Sequence, residues 1–119
     1  MTPEAVYWIV LFLFAYLAGA VPFGLWLSRR FASVDLRETG SGNIGATNAG
    51  RAGGWPLGMA TLICDIGKGA VPVGLAIWLA AALDTGPVLP AYATAVAAVL
   101  GHLFPIYLGF KTGGKGVAT

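Results

Sequence analysis

The sequence predicts an all-α, polytopic helical membrane protein with about three spans. Broken or re-entrant helical pieces lie between them, and two glycine-rich loops face the cytoplasm. Three observations carry this. Hydrophobic residues make up 57% of the 119 residues and charged residues only 10%, with a mean hydropathy of +0.78. A water-facing domain carries about 25% charged residues, so this chain has too few to cover such a surface. The uncharged run Ala5 to Ser28 is 24 residues long, roughly 36 Å as a helix at about 1.5 Å per residue, enough to cross a bilayer with tilt. Finally, the cations gather beside the apolar runs instead of being spread along the chain. The length suits one membrane domain over residues 1–119. The composition excludes disordered, coiled-coil and nucleic-acid-binding classes, and the lone Cys64 allows neither an intrachain disulfide nor a thiolate cage for zinc.

The first span occupies Ala5 to Ser28. Ala18-Gly19-Ala20 resembles a signal-peptidase site, but the preceding stretch holds Glu4 and no Lys or Arg, and the apolar run continues past the cut. A retained span is the better reading. Further on, Ala52 to Cys64 and Gly69 to Leu83 are apolar but short, with Asp65-Ile66-Gly67-Lys68-Gly69 interrupting them. One helix from about Ile66 to Leu83 just crosses the core, which leaves Trp55 to Asp65 interfacial or re-entrant. Gly67, Gly69 and Pro72 suggest a broken helix, tolerable where the freed backbone is buried in protein or faces a wet cavity. The last span lies within Thr85 to Phe110, from Pro90 or Ala91 to Leu108.

Charge sets the orientation. Arg29, Arg30, Arg37 and Arg51 follow the first span, Lys68 begins the second, and Lys111 and Lys115 follow the last; the other side carries Glu4 and Asp84. By the positive-inside rule the N-terminus is outside and both glycine-rich loops are cytoplasmic. Gly19-Ala-Val-Pro22-Phe-Gly-Leu and Gly69-Ala-Val-Pro72-Val-Gly-Leu are near copies. Both copies would lie toward the cytoplasmic side of oppositely directed helices, which an inverted repeat does not produce. Chance in a Gly/Ala/Val-rich chain explains them better.

The first loop reads Arg37-Glu-Thr-Gly40-Ser41-Gly42-Asn43-Ile-Gly45-Ala-Thr47-Asn48-Ala-Gly-Arg51. Its G-x-G-x-x-G over residues 40–45 is a decoy, because no strand precedes it and no βαβ unit fits this chain. Glycines let backbone N–H groups approach an anion, Ser41, Asn43, Thr47 and Asn48 add polar donors, and Arg51 offers a fork suited to phosphate. A flexible cytoplasmic loop with basic anchors is the plainer reading; the density of polar groups between two apolar runs favours an anion site. The second loop reads Gly109-Phe-Lys111-Thr-Gly113-Gly114-Lys115-Gly116-Val-Ala-Thr119. Gly116 stands where a nucleotide-binding loop needs Ser or Thr, so that reading is weak. Phosphate contact by the Gly113–Gly116 backbone and the two lysines fits, and so do two orientation-setting lysines on a turn.

His102, the only histidine, sits in Gly101-His-Leu-Phe-Pro105 with Tyr107 five residues on, so neither a His-x4-Asp pair nor a Ser-His-Asp arrangement is legible. A packing or hydrogen-bonding role is the ordinary expectation for it. Asp65 and Lys68 would each cost ~2.5–3.5 kcal/mol deep in lipid. Their i,i+3 spacing fits mutual pairing, and it fits equally the lining of a polar cavity.

Four stretches carry a resemblance: Gly-Ala-Val-Pro-Phe-Gly (19–24), Gly-Ser-Gly-Asn-Ile-Gly-Ala-Thr-Asn (40–48) with Arg51, Cys-Asp-Ile-Gly-Lys-Gly (64–69), and Gly-His-Leu-Phe-Pro (101–105) running into Gly-Gly-Lys-Gly-Val-Ala-Thr (113–119). Together the chain resembles the bacterial acylphosphate:glycerol-3-phosphate acyltransferase family, integral-membrane enzymes that start phospholipid synthesis. The resemblance implies transfer of a fatty acyl group from acyl phosphate to the 1-hydroxyl of glycerol 3-phosphate, giving lysophosphatidic acid, in the bacterial inner membrane. Partners would be those two substrates and membrane lipid, with no nucleic acid, cofactor or metal. Ser41, Arg51 and Lys115 become the expected catalytic residues. Gly42, Asn43, Gly45, Thr47, Asn48, His102, Lys111, Gly113, Gly114 and Gly116 become expected substrate-binding residues. Ala20 stands where the family often has serine, and Thr112 lengthens the usual Phe-Lys-Gly-Gly-Lys run by one. The family's domain is longer, with a third polar motif beyond Thr119, so the chain is expected to be its N-terminal part. A transporter or binding protein for a phosphate-bearing solute, or an inactive fragment, is the alternative expectation.

Overall fold

The computed structural model describes residues 1–108, and these form five helices: α1 (Pro3–Gly19), α2 (Phe23–Ala32), α3 (Ala46–Gly53), α4 (Trp55–Ala82) and α5 (Val88–Leu103). Short 3-10 turns at Leu36–Glu38 and Ile106–Leu108 complete the described elements, with no strand among them. The Thr2 hydroxyl accepts from the Ala5 N–H at 3.2 Å, Pro3 opens the first turn, and Glu4 faces the helix dipole, so α1 starts where the apolar run starts.

The expected single first span is broken. Pro22 has no N–H and its ring collides with a helical carbonyl four residues back; α1 therefore closes through Ala20 N–H to Tyr16 O and Val21 N–H to Ala18 O, and α2 begins at Phe23. The near copy at Pro72 behaves oppositely. There α4 runs unbroken for 28 residues, about 42 Å at ~1.5 Å per residue, so Trp55 to Asp65 continues the span and is not a separate re-entrant piece. The last span is shorter than expected, ending at Leu103.

Apolar side chains point outward over most of the bundle. Trp78 is 67% exposed, and Val10, Leu13, Ile63, Val71, Leu89 and Val96 are exposed with it. Such a surface suits lipid, whereas the contacts between spans use small residues, as expected where tails compete with side chains for apolar contact. A Cβ on Gly19 would overlap the Ala98 carbonyl oxygen, and one on Gly101 would overlap that of Tyr16, so α1 and α5 touch backbone to backbone. The groove lined by Tyr7, Val10 and Phe14 of α1 and by Leu75 and Trp78 of α4 shows that these helices run antiparallel. Glu4 and Asp84 therefore share one end of the bundle. The larger buried apolar side chains collect elsewhere: Leu25, Leu36, Ile44, Ala49 and Leu57 form a core between α2, α3, α4 and the first 3-10 turn. That core is the floor beneath the first glycine-rich loop.

Candidate phosphate-binding loop and a buried polar cluster

Asn48 organises the loop. Its Nδ2 donates to the carbonyls of Leu36 (3.1 Å), Thr39 (2.8 Å) and Asn43 (2.8 Å), and its Oδ1 accepts from the Ser41 N–H at 3.3 Å. The side chain is 2% exposed, so these bonds form away from water. Gly40 and Gly42 turn the chain around it at φ +56° and +74°, in the left-handed region that glycine adopts without penalty. The Asn43 Oδ1 accepts from the Gly45 N–H at 2.8 Å, which leads the backbone into α3. Gly45 caps α3 with no side-chain hydrogen bond to the first turn among the described residues.

A second set of bonds fixes the front of the loop. Asp35 receives the Arg37 N–H (3.0 Å), Arg37 Nε (3.0 Å), Arg37 Nη2 (2.8 Å) and Arg29 Nη2 (3.1 Å). The bidentate Arg37 fork, with help from Arg29, holds the Asp35 carboxyl well below the usual carboxylate range. In return the carboxylate raises the Arg37 guanidinium above its ordinary value. Arg29 and Arg37 are thereby committed to structure. Arg30 lies over the Phe31 ring at 5.4 Å. Among the described residues no carboxylate pairs with Arg51, which is exposed on α3 one turn after exposed Thr47. The i,i+4 spacing puts Thr47 and Arg51 on one outer face of α3, with Asn48 and Ala49 on the buried one. Ser41 is also exposed, its Oγ accepting from the Asn43 N–H at 3.4 Å.

Of the other expected site residues, His102 lies in a different place. It is 5% exposed, and its Nδ1 stands 2.7 Å from Lys68 Nζ. Lys68 Nζ also meets Asp65 Oδ1 at 3.2 Å and donates to the Val21 carbonyl at 3.1 Å. The pairing expected for Asp65 and Lys68 is therefore present, and a histidine 34 residues downstream completes it. Nothing in the sequence order announced the Val21 carbonyl, which at the α1–α2 break accepts from the Phe23 N–H at 3.0 Å as well as from Lys68. Nor did it announce the Tyr16 hydroxyl, which donates to the Phe104 carbonyl at 2.6 Å. Lys111, Gly113, Gly114, Lys115 and Gly116 lie outside the described residues.

The fold and loop define a class: a helical bundle with a lipid-suited exterior that carries a glycine-turned loop with one exposed arginine, Arg51, that no carboxylate pairs with among the described residues. The chain belongs to the glycerol-3-phosphate acyltransferase family, whose model matches residues 9–119. A glycerol-3-phosphate acyltransferase of Anaeromyxobacter sp. (strain Fw109-5) is 49% identical over 116 residues, 98% of this chain and 56% of that protein. One from Zymomonas mobilis is 51% identical over 115 residues, 93% of this chain and 53% of its own. Among solved structures, the glycerol 3-phosphate form of PlsY (YgiH), an integral membrane glycerol 3-phosphate acyltransferase, is similar with a TM-score of 0.81 and 40% identity. That match covers 94% of this chain and 53% of PlsY. The lysophosphatidic acid form gives 0.79 and 37%, over 94% and 52%. The chain thus spans about half the length of the curated relatives it matches.

Proposed function

We propose that the chain serves acyl transfer from acyl phosphate to the 1-hydroxyl of glycerol 3-phosphate, with lysophosphatidic acid and inorganic phosphate as products. The single observation that carries this is the loop itself: Asn48 ties the Ser41 N–H and three loop carbonyls to the start of α3, whose outer face carries exposed Thr47 and Arg51. Helix-start N–H groups and a guanidinium suit a phosphate dianion. Family membership and the two PlsY forms support the identity of the ligand.

Acyl phosphate is a mixed anhydride, so phosphate leaves readily and the protein need not form an acyl-enzyme. The glycerol 1-hydroxyl oxygen bonds to the acyl carbon, the carbon–oxygen bond to phosphate breaks, and the departing phosphate takes the hydroxyl proton. The protein's task is to hold two anions close and aim the hydroxyl. Ser41 and Arg51 bind substrate phosphate in this reading. Lys115 and the Gly113–Gly116 backbone, with Lys111, take the second phosphoryl group. Tyr107 supports the convergence, since its ring lies 6.2 Å from that of Trp26 on α2 just before that stretch begins. Asn48 acts behind the substrate by holding loop backbone, and His102 by pairing with Lys68. The chain lies in the bacterial inner membrane, N-terminus outside, with the loops cytoplasmic; the lack of Lys or Arg in the segments around Glu4 and Asp84 supports this.

The test incubates membranes carrying the chain with acyl phosphate and labelled glycerol 3-phosphate. Lipid-soluble label is the expected result. Uptake or binding of label without lipid product would replace the enzyme with a transporter or binding protein.

A further inference from the structure

Lys68 is the one buried charge that the proposed chemistry does not use and that three segments share. An ammonium has three protons and no acceptor. Here it has three acceptors: Asp65 Oδ1 from its own helix, the Val21 carbonyl from the α1–α2 break, and His102 Nδ1 from α5. Because the ammonium can only donate, Nδ1 accepts and a neutral His102 ring carries its proton on Nε2. The cluster is dry: the side chains of Lys68 and Asp65 are 3% and 4% exposed.

The two remote acceptors are not arbitrary positions. Val21 lies two residues before α2, which packs on α3 and on the core beneath the first loop. His102 sits in the last turn of α5, seven residues before Gly109. Between these points Tyr16 donates to Phe104 O, and Trp26 meets Tyr107. Lys68 thus grips a backbone carbonyl just ahead of α2 and a side chain in the last turn of α5.

We propose that Lys68 is a positioning residue: through the Val21 carbonyl and His102 it sets α2 and the end of α5 in register, and so sets the spacing between the first glycine-rich loop and the end of α5. This rests on the acyl-transfer reading, and it predicts a split between binding and turnover. Lys68 touches neither substrate, so glycerol 3-phosphate still binds at Arg51 when Lys68 is lost. Turnover, which needs both subsites aligned, falls steeply, because a misplacement of about 1 Å can cost ~100-fold in rate.

The experiment uses the Lys68→Met/Asp65→Leu double variant, which removes both buried charges and leaves neither orphaned. In nanodiscs, glycerol 3-phosphate binding is measured by calorimetry and acyl transfer by product formation. In a Cys64→Ala background, spin labels at Phe31→Cys and Ile106→Cys, both exposed sites, report the distance between α2 and the segment after α5. The proposal expects binding stoichiometry unchanged and affinity within about threefold, transfer down about 100-fold, and a displaced or broadened label distance. Transfer at the parent rate overturns it. So does an unchanged label distance, and so does lost phosphate affinity in a variant that keeps its fold, which would make Lys68 a ligand. A parent chain that binds glycerol 3-phosphate but yields no lipid would sink the acyl-transfer reading instead, and the label distance would still decide the clamp.

Discussion

Gly40 lies so close to the Asn48 side chain that a Cβ at position 40 would overlap Asn48 Oδ1, and Gly40 also sits at φ +56°. Two separate penalties therefore meet at one residue. A left-handed conformation costs a non-glycine residue roughly 1–2 kcal/mol, and the overlap pushes the amide off its acceptors. Gly40→Ala should lower the melting temperature and raise the glycerol 3-phosphate KM together. Asn48→Asp should do more, because a carboxylate would face the Leu36, Thr39 and Asn43 carbonyls in place of an amide donor. A folded Asn48→Asp protein with parent kinetics would show that the loop does not depend on this side chain.

The glycines of the spans divide into two kinds. Gly19 and Gly101 meet neighbouring backbone, whereas Gly67 and Gly74 meet nothing within 4 Å of an added Cβ. Gly19→Leu and Gly101→Val should drive α1 and α5 apart and abolish stable folding. Gly67→Ala and Gly74→Ala should be tolerated, and should stabilise α4 by up to about 1 kcal/mol each from helix propensity. Thermal unfolding in detergent compares all four. Equal damage at both kinds of site would contradict the backbone contact between α1 and α5.

Acid should loosen the front of the loop. Asp35 titrates below the usual carboxylate range because Arg37 and Arg29 bind its charged form. The folded value is depressed, so the stabilisation is present above the unfolded value of about 3.9 and is lost as pH falls below it. Both side chains are partly exposed, which keeps the effect small. Hydrogen exchange at the 36–42 amides should quicken as pH falls toward 3, relative to the intrinsic rate, and Asp35→Asn should show the quickened exchange at neutral pH. Parent-like protection in Asp35→Asn would remove the ion pair from the account.

The sequence made the class and the loop readable and hid the joints. Long uncharged runs and the placement of arginines point to helical spans whatever the packing, and dense Gly, Ser and Asn mark a tightly turned polar loop. Composition favours a continuous span through Pro22 and a broken helix at Pro72, and the structure has the reverse, although both prolines sit in Gly-Ala-Val-Pro. The difference is tertiary: at the break before Pro22 the Val21 carbonyl accepts from Lys68, while α4 continues past Pro72 with that residue buried. Asn48 read as one more polar donor because its acceptors lie five to twelve residues away on a turn that only the folded loop brings together. His102 read as solitary because its partner is on another helix.

The most direct test of the phosphate site is the glycerol 3-phosphate KM of Arg51→Ala, measured beside its melting temperature. Arg51 is exposed on α3 and makes no ion pair among the described residues, so its removal should leave the fold intact. Losing a charge-assisted bond costs about 1.5–3 kcal/mol, so the KM should rise more than tenfold with little change in melting temperature. An unchanged KM in a stably folded Arg51→Ala protein would contradict the assignment of this loop to substrate phosphate.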